Sequence, residues 1–506
     1  LEFRRVLFRS IQRVGLFVCL LVVALLANAT YIQVIHANEL RSDSRNSRVL
    51  IDEYARQRGA ITAGGDVIAS SDPTDGRLRF LRTYPADTAM AFAPVTGYFS
   101  FQYRSSGLEL AEDAILNGND DRLFGQRFMD MFAGRDPRGG NVLTTIRPEV
   151  QKAAYEALRN GRCDGGCRGA VVAIEPSTGK ILALASSPSY DPNKLASHSQ
   201  QVRENAWTSW SNPPNKADPM LNRPLDQLYP PGSTFKVITT AAALRDGVDP
   251  NIRLTAARSI TLPGSTATLT NYGNQTCPGA VGGTVTLAQA FQYSCNTAFV
   301  DLVVNKLKQP ETTLAETAKR FGLDEATQAI PLPVRAKSTL GDVSDRAALG
   351  QSAIGQYNVR MSALQNAIIA ATVANGGVRM QPYLVDKLQG PDLRTLSTTS
   401  PATVNEPITA AQAATLTSLM IDSERQSGGP ATIASKTGTA EHSAGPGSGE
   451  VPYAWYIAFG PSTNAQIAVA VVVENGQLGT GTTGAAVAAP IGRDVIEAAL
   501  RGGGGR

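Results

Sequence analysis

A serine and a lysine three residues apart, Ser233 and Lys236, are the clearest candidates for nucleophilic chemistry in this sequence. Two prolines and Gly232 precede the serine and end any earlier helix, whereas residues 233–244 have a helical composition. Lys236 would then lie one turn from Ser233 on the same helix face, where a lysine of lowered pKa could remove the hydroxyl proton. The spacing alone does not distinguish this role from an ordinary N-cap role for Ser233.

Two further short motifs follow later in the chain, Ser294-Cys295-Asn296 and Lys436-Thr437-Gly438-Thr439. Taken singly, the first could cap a helix and the second could be a surface turn at the end of a strand. Ser-x-x-Lys, Ser-x-Asn and Lys-Thr-Gly in this order, however, are the motif set of the penicillin-recognising serine enzymes. The order therefore predicts that the three segments meet around Ser233.

The elements that must position these motifs are predicted from hydrophobic periodicity and from turn residues. Strands near both ends of the region from 141 onward, with helices between them, predict one large α/β (α+β) domain whose sheet is completed by its own C-terminus. The predicted helices are 148–158, an Ala- and Leu-rich middle from about 233 to 375, and 490–500, and the predicted strands are 170–175, 180–186, 454–459 and 465–473.

An uncharged run near the N-terminus, Val14–Ile35, is long enough to span a bilayer as a helix. Four arginines precede it, so the positive-inside rule makes residues 1–13 a cytoplasmic tail and places the body outside the cytoplasm. A cleaved signal peptide is the alternative, because Ala27-Asn28-Ala29 is similar to a small-residue cleavage site. The chain starts with Leu1 rather than Met, and no function is assigned to its first residues. A single-pass cell-membrane protein is expected.

The net charge of +4 is unevenly distributed along the chain. Four arginines and one glutamate give the first 13 residues a charge of +3, which leaves +1 for the rest. A nearly neutral body argues against a nucleic-acid-binding surface, which needs clustered basic side chains. With 42% hydrophobic and 18% charged residues, the composition is typical of a globular protein.

Four of the five cysteines form two sequence-local pairs, Cys163 with Cys167 and Cys277 with Cys295. In an oxidising compartment these pairs predict two disulfides, and four free buried thiols are the alternative. Neither pair has the Cys-x-x-Cys spacing typical of zinc sites, so no metal is expected.

Beyond the three motifs, the chain resembles the class B penicillin-binding proteins, in particular their short actinobacterial penicillin-binding protein A type. The resemblance covers the anchor, the region around 58–61 and most of 141–500. It departs at Cys295, where aspartate is common, although the flanking serine and asparagine are kept. The matching segments are 143–146, 222–224, 229–236, 350–356, 436–441 and 454–456.

This resemblance implies the penicillin-binding transpeptidase fold, a five-stranded antiparallel sheet flanked by helices with an all-helical subdomain. A transmembrane anchor over 14–35 would precede an irregular N-terminal pedestal of the dimerisation type over 36–140. The transpeptidase domain would occupy 141–500, with a flexible tail over 501–506.

The resemblance also implies a D,D-transpeptidase that cross-links peptidoglycan stem peptides in cell-wall synthesis, is acylated by β-lactams and needs no cofactor. Ser233 would attack the carbonyl of a D-Ala-D-Ala terminus and Lys236 would take the serine proton. Ser294 would relay a proton to the leaving amine. Asn296 would hold both Lys236 and the substrate amide.

In the same family pattern, Lys436 would lower the pKa of Lys236 and attract the terminal carboxylate of the substrate. Thr437 and Thr439, on either side of Gly438, would offer hydroxyl groups to that carboxylate, and the backbone N–H groups of Ser233 and Thr439 would form the oxyanion hole. The expected partners are stem peptides, β-lactams, the cytoplasmic membrane and a glycan polymerase or other divisome protein, with no nucleic acid.

Two alternatives share the motifs. A β-lactamase-like or D,D-carboxypeptidase hydrolase must activate water, but the acidic segment 113–117 precedes Ser233, whereas the deacylation loop of class A β-lactamases follows the serine. A non-catalytic divisome scaffold that only binds penicillin stays open. His-based hydrolases, zincins and phosphate-loop enzymes are disfavoured, because the three histidines lack a triad context and the sequence lacks His-Glu-x-x-His and Gly-Lys-Ser/Thr.

Overall fold

The structure is a computed structural model. The residues it describes are 2–32, 54–76, 78–132, 138–163, 165–211, 213, 217–325, 330–334, 336–440, 451–474, 476 and 482–502. The chain divides into two compact units, residues 1–56 with 73–80 and residues 57–72 with 81–506, and each is described by itself.

The first unit contains the helix Glu2–Thr30. Its stretch Arg13–Thr30 has a mean hydropathy of 2.1 and is long and apolar enough to cross a membrane. The helix also includes most of the predicted tail, 1–13, so tail and anchor are continuous. Residues 33–35 of the predicted anchor lie outside the described part of the chain.

In the second unit, a six-stranded sheet combines early and late segments of the chain. Strand Ile61–Ala63 pairs in parallel with Asn141–Thr144, which pairs antiparallel with Val385–Gln389. The predicted border at residue 140 therefore runs between segments that share one sheet. The strand order is Thr395–Thr398, Val385–Gln389, Asn141–Thr144, Ile61–Ala63, Asp66–Pro73 and Phe80–Thr83.

A buried cluster of charges lies beside this sheet. The carboxylate of Glu109 accepts hydrogen bonds from Arg58 Nε at 2.6 Å, from Arg82 Nε at 2.6 Å and from the hydroxyl of Tyr84 at 3.2 Å. Burial opposes ionisation of Glu109, but the two guanidinium groups outweigh it and hold the pKa of this carboxyl below its usual value. The cluster pairs the buried acid with two buried arginines, and Arg58 also binds the partly exposed Asp113.

A five-stranded antiparallel sheet forms the centre of the second unit, as the family resemblance implies. Three of its strands are buried along their whole length, which is why they are continuous apolar runs rather than alternating patterns. The spatial order is Ala434–Ala440, Tyr453–Gly460, Ile467–Val473, Gly169–Ile174 and Ile181–Ser187. The strand that carries Lys436 is therefore an edge strand.

Several helices pack on this sheet. Helices Pro148–Arg159 and Ala489–Gly502 pack on each other and on the sheet, and Ala363–Ala374 and Ala410–Gln426 pack on it as well. The C-terminal helix extends through Gly502, so the first two residues of the predicted tail 501–506 are helical, and 503–506 lie outside the described residues.

The middle of the chain, predicted as helical, also contains short strands. Strand Arg253–Thr255 pairs with Thr284–Thr286, and Ser259–Thr261 pairs with Thr268–Thr270. Threonine and other β-branched residues in these segments favour extended backbone over helix. The two hairpin-like pairs precede the second motif and form part of its support.

The remaining helices are Ala89–Thr96, Gly107–Ala111, Asp113–Leu116, Phe124–Phe132, Pro192–Ala196, Gln200–Ser211, Arg223–Asp226, Lys236–Arg245, Leu287–Gln292, Asn296–Asp301, Pro310–Arg320 and Arg346–Ser352, and the remaining strands are Phe99–Ser100, Arg104–Ser105, Arg379–Met380 and Thr403–Asn405.

Replacing the buried acid Glu109 by glutamine should lower the free energy of unfolding by about 3–5 kcal/mol, because it removes the carboxylate that the two buried guanidinium groups share and leaves Arg58 with only the partly exposed Asp113. The matched control is Glu149→Gln, which breaks the exposed pair with Arg147 and should cost at most about 1 kcal/mol. Urea unfolding of the detergent-solubilised chain measures both values. Equal losses in the two variants would contradict the interpretation of the buried cluster.

Candidate active site

Ser233 lies at the start of a helix, as the sequence predicts. The segment Gly232–Phe235 forms a single 3₁₀ turn that continues directly into helix Lys236–Arg245. Ser233 is partly exposed, whereas the next three residues are buried. In this turn, therefore, Ser233 is accessible to solvent while the residues next to it are buried.

The four residues before the serine, 229–232, form what we call the serine loop. Tyr229 and Met361 exchange two backbone hydrogen bonds, N–H to carbonyl, at 3.0 and 2.8 Å. The indole Nε1 of Trp455, on the second strand of the central sheet, donates to the carbonyl of Pro230 at 3.0 Å. The loop is thus attached to the sheet on one side and to segment 355–361 on the other.

Glycines permit the closest approaches around the serine loop. Gly232 has φ +54°, and a Cβ there would lie 2.7 Å from the carbonyl oxygen of Thr439. Gly355 has φ +72°, and a Cβ there would lie 2.1 Å from the carbonyl oxygen of Gly232. Only glycine fits at either position. The first and third motifs meet through these contacts.

The ammonium of Lys236 joins the first motif to the second. Its Nζ donates to the carbonyl of Ser294 at 2.7 Å, to the Ser294 hydroxyl at 3.2 Å and to Oδ1 of Asn296 at 2.8 Å. The side chain is buried, and its Nζ lies 5.2 Å from the ring centre of Phe299. A lysine so placed has three oxygen partners, and none of them is a carboxylate.

Two buried lysines set the electrostatics of the site. Burial, reinforced by the charge of Lys436, holds the pKa of Lys236 well below its ordinary value. Burial alone lowers the pKa of Lys436 to about 7. Lys236 can therefore be neutral at a pH where an ordinary lysine is charged, which is the condition for a proton acceptor.

The second motif has an unusual backbone. Ser294 has φ +58°, in the left-handed region that is costly for a residue with a Cβ, and its carbonyl accepts from Lys236. The next residue, Cys295, is bonded to Cys277, with 5.6 Å between their Cα atoms. Asn296 then begins helix Asn296–Asp301, and its Nδ2 donates to the carbonyl of Thr270 at 3.0 Å. The disulfide and this hydrogen bond hold the strained turn in place.

The third motif lies on the edge strand Ala434–Ala440. Lys436 is buried, while Thr437 and Thr439 are partly exposed. Gly438 lets the strand approach the serine loop, because a Cβ there would lie 2.9 Å from the carbonyl oxygen of Pro231. The backbone N–H of Gly484 donates to the Thr439 hydroxyl at 3.4 Å.

The structure thus brings together Ser233, Lys236, Ser294, Asn296 and the strand Lys436–Thr439. The other predicted disulfide, Cys163–Cys167, lies between helix Pro148–Arg159 and strand Gly169–Ile174, with 4.9 Å between its Cα atoms. Among the residues that the structure describes, no group of three His, Cys, Asp or Glu side chains is placed to hold a metal ion.

Two contacts behind the serine involve residues that the three motifs do not predict. The hydroxyl of Thr234 donates to Oδ1 of the buried Asn366 at 3.3 Å, and the hydroxyl of Tyr229 donates to Glu474 at 2.7 Å. A sequence signal exists for each: Asn366 interrupts an apolar helix, and Glu474 directly follows the uncharged strand Ile467–Val473.

Comparison with known proteins identifies the family. The penicillin binding protein transpeptidase domain model matches residues 169–497, and the penicillin binding protein A dimerisation domain model matches 58–142. The chain belongs to the penicillin-binding protein transpeptidase family. The resemblance inferred from the motifs and the predicted transpeptidase fold are thereby confirmed.

Individual relatives match nearly the whole chain. The peptidoglycan D,D-transpeptidase PbpA of Mycolicibacterium smegmatis is 55% identical, covering 98% of this chain and 99% of the relative. The PbpA of Mycobacterium tuberculosis is 54% identical, covering 97% and 99%. The crystal structure of the M. tuberculosis penicillin-binding protein A in a penicillin G acyl-enzyme complex has a TM-score of 0.83 at 54% identity, covering 88% of this chain and all of that one.

Removing the charge of Lys436 should shift the pH dependence of penicillin acylation. In Lys436→Met the repulsion on Lys236 disappears, so the pKa of Lys236 rises and its neutral form is reached only at higher pH. The acidic limb of the acylation rate should therefore move to higher pH, measured by stopped-flow kinetics at constant ionic strength. The exposed Lys319→Met is the control and should leave the limb in place; an unmoved limb in Lys436→Met would refute the coupling.

The two disulfides predict the thiol chemistry of the exported chain. Under denaturing, non-reducing conditions, alkylation should modify Cys19 alone, because the other four cysteines are bonded in pairs. After reduction, all five should react, as intact mass spectrometry can count. Modification of all five before reduction would contradict the pairing.

Proposed function

We propose that this chain is a peptidoglycan D,D-transpeptidase that acts through a Ser233 acyl-enzyme. The observation that carries the proposal is the placement of Lys236, one turn after Ser233 and hydrogen-bonded to Ser294 and Asn296, with its pKa lowered by burial and by Lys436. A neutral amine at this position supplies the base that a serine hydroxyl needs to become a nucleophile.

In the proposed acylation step, Lys236 accepts the Ser233 proton while Oγ attacks the carbonyl carbon of the penultimate D-Ala. The tetrahedral intermediate collapses, the peptide C–N bond breaks and an ester to Ser233 forms. Ser294, whose hydroxyl lies 3.2 Å from Lys236 Nζ, passes a proton to the departing amine. Terminal D-Ala leaves, and the proton removed from the serine is the one that the leaving group gains.

The edge strand supplies binding and electrostatic stabilisation in this proposal. Lys436, when protonated, attracts the terminal carboxylate, and Thr437 and Thr439 present hydroxyl groups to it beside Gly438. The backbone N–H groups of Ser233 and Thr439 stabilise the oxyanion, a contribution that is large when the donors are fixed in advance. The antiparallel pairing of the strand with Tyr453–Gly460 provides that rigidity.

In the second half-reaction, the amine of a neighbouring stem peptide attacks the ester and releases Ser233, giving a cross-link. A β-lactam enters by the same acylation and remains attached. This part draws on the acyl-enzyme complexes of the M. tuberculosis relative.

The alternative hydrolases would need a water-activating acid. The segment 113–117, considered for that role, uses Asp113 to bind Arg58 at 2.6 Å and the amide of Asn117 at 2.8 Å. Its charge is therefore engaged in the N-terminal ion cluster. The contacts of Asp113 therefore give no support to a water-activating role for this segment.

The family and the N-terminal helix support a proposed cellular setting. We place the catalytic domain outside the cytoplasm, held by the N-terminal apolar helix, as is usual for penicillin-binding proteins. A glycan polymerase or other divisome protein is the proposed partner of the N-terminal region. A scaffold role would be favoured if the site bound penicillin but formed no cross-links.

Labelling with a fluorescent penicillin tests the proposal directly. The wild-type chain should form a stable covalent adduct, and Ser233→Ala should form none, because it lacks the attacking oxygen. Equal labelling of the two would overturn the assignment. Rapid loss of the label would favour a β-lactamase, and assays on lipid-linked glycan distinguish cross-linking from trimming of D-Ala.

A further inference from the structure

A second, partly buried ion cluster lies behind the serine loop, centred on Glu474. Its Oε1 accepts from the hydroxyl of Tyr229 at 2.7 Å and from Arg223 Nε at 3.1 Å, and its Oε2 accepts from Arg168 Nε at 2.5 Å. The side chain of Arg223 is 1% exposed and that of Glu474 13% exposed. One carboxylate thus fixes a tyrosine and two guanidinium groups at the end of the strand Ile467–Val473.

The position of Glu474 is fixed by the central sheet. It follows the middle strand of the five-stranded sheet, and its backbone N–H donates to the carbonyl of Arg168 at 2.7 Å. In the described part of the chain, no other carboxylate forms an ion pair with Arg223, which also donates to the carbonyl of Asp218 at 2.8 Å. The charge of Glu474 therefore cannot be removed without leaving a buried cation unpaired.

Tyr229 links Glu474 to the segment that carries Ser233. Its ring packs edge-on against Tyr453 and Trp455, with centroid distances of 5.1 and 5.8 Å. The same tryptophan binds the next carbonyl, that of Pro230, and Ser233 follows three residues later. Among the residues that the structure describes, the hydrogen bond from the Tyr229 hydroxyl is the one that ties the serine loop to a charged group, and the other hydrogen bonds of 229–232 are to neutral donors or acceptors.

We propose that Glu474 is a positioning residue for Ser233, acting through the hydroxyl of Tyr229. The proposal rests on the proposed transpeptidase function. Acylation needs Oγ of Ser233 within attacking distance of the substrate carbonyl, and a displacement of about 1 Å can cost about a hundredfold in rate. The hydrogen bond to a charged acceptor limits such displacement more strongly than a neutral one does.

The competing explanation is that the cluster only stabilises the fold. The chain provides a similar control, because the buried Glu109 also joins two arginines and a tyrosine hydroxyl, that of Tyr84, at 3.2 Å, with Asp113 as an additional acid on Arg58. Tyr84 is buried like Tyr229 but has no contact with the serine loop among its described hydrogen bonds. A purely structural role predicts the same behaviour for the two tyrosines.

The test compares Tyr229→Phe with Tyr84→Phe in the full-length, detergent-solubilised chain. Stopped-flow measurements with penicillin G give the acylation rate constant and the dissociation constant of the non-covalent complex separately, and thermal unfolding gives Tm. We expect Tyr229→Phe to slow acylation by about tenfold with a dissociation constant unchanged within about twofold. Tyr84→Phe should lower Tm comparably and keep the wild-type acylation rate.

Wild-type acylation in Tyr229→Phe, or equal slowing in the two variants, would overturn the positioning role. Glu474→Gln adds a second arm: it keeps an oxygen acceptor but loses the charge, and, where the variant folds, it should slow acylation at least as much as Tyr229→Phe. If the wild-type chain itself is not acylated, the proposed function fails instead, so the two failures are distinguishable.

Discussion

The buried side-chain amine of Lys236 is the constraint around which the site is arranged. A lysine withdrawn from water and facing a second buried lysine resists protonation, and only neutral oxygens from Ser294 and Asn296 receive its hydrogen bonds. Within the described residues, no carboxylate forms an ion pair with either Lys236 or Lys436. A carboxylate within hydrogen-bonding distance of Lys236 would raise the pKa of its amine. The amine would then stay protonated and could not act as a base.

Holding two such lysines close together requires a rigid scaffold. In that scaffold, unlike at the two lysines, several buried positive charges are paired with carboxylates. Three buried arginines are paired with carboxylates, Arg223 with Glu474, and Arg58 and Arg82 with Glu109. A guanidinium group cannot shed its proton, so it must be paired when buried, whereas a lysine can be left neutral. Permanent charges thus stabilise the scaffold, and titratable ones are reserved for the reaction.

The sequence reveals the parts of this arrangement that are local. Ser233 and Lys236 share one helical turn, and the buried strands are continuous apolar runs, so spacing and composition suffice to predict them. The contacts that complete the site are not local: Tyr229 meets Met361, Gly232 meets Gly355, and the Tyr229 hydroxyl reaches Glu474 across 245 positions. No periodicity encodes which distant segments the topology brings together, and the left-handed backbone of Ser294 likewise follows from its surroundings.

The six-stranded sheet combines early and late segments of the chain, so it cannot be completed until the late segments have been synthesised. Val142 pairs with Ile61, made earlier, and with Leu388, made much later. Until the later segment has been synthesised, one edge of strand Asn141–Thr144 is open to pairing with other nascent chains. Pairing between strands so far apart in the sequence is slow, so this edge stays open for an extended interval during synthesis. A chaperone that covers a strand edge would protect the growing chain during that interval. The N-terminal region cut away from the rest would carry that open edge permanently.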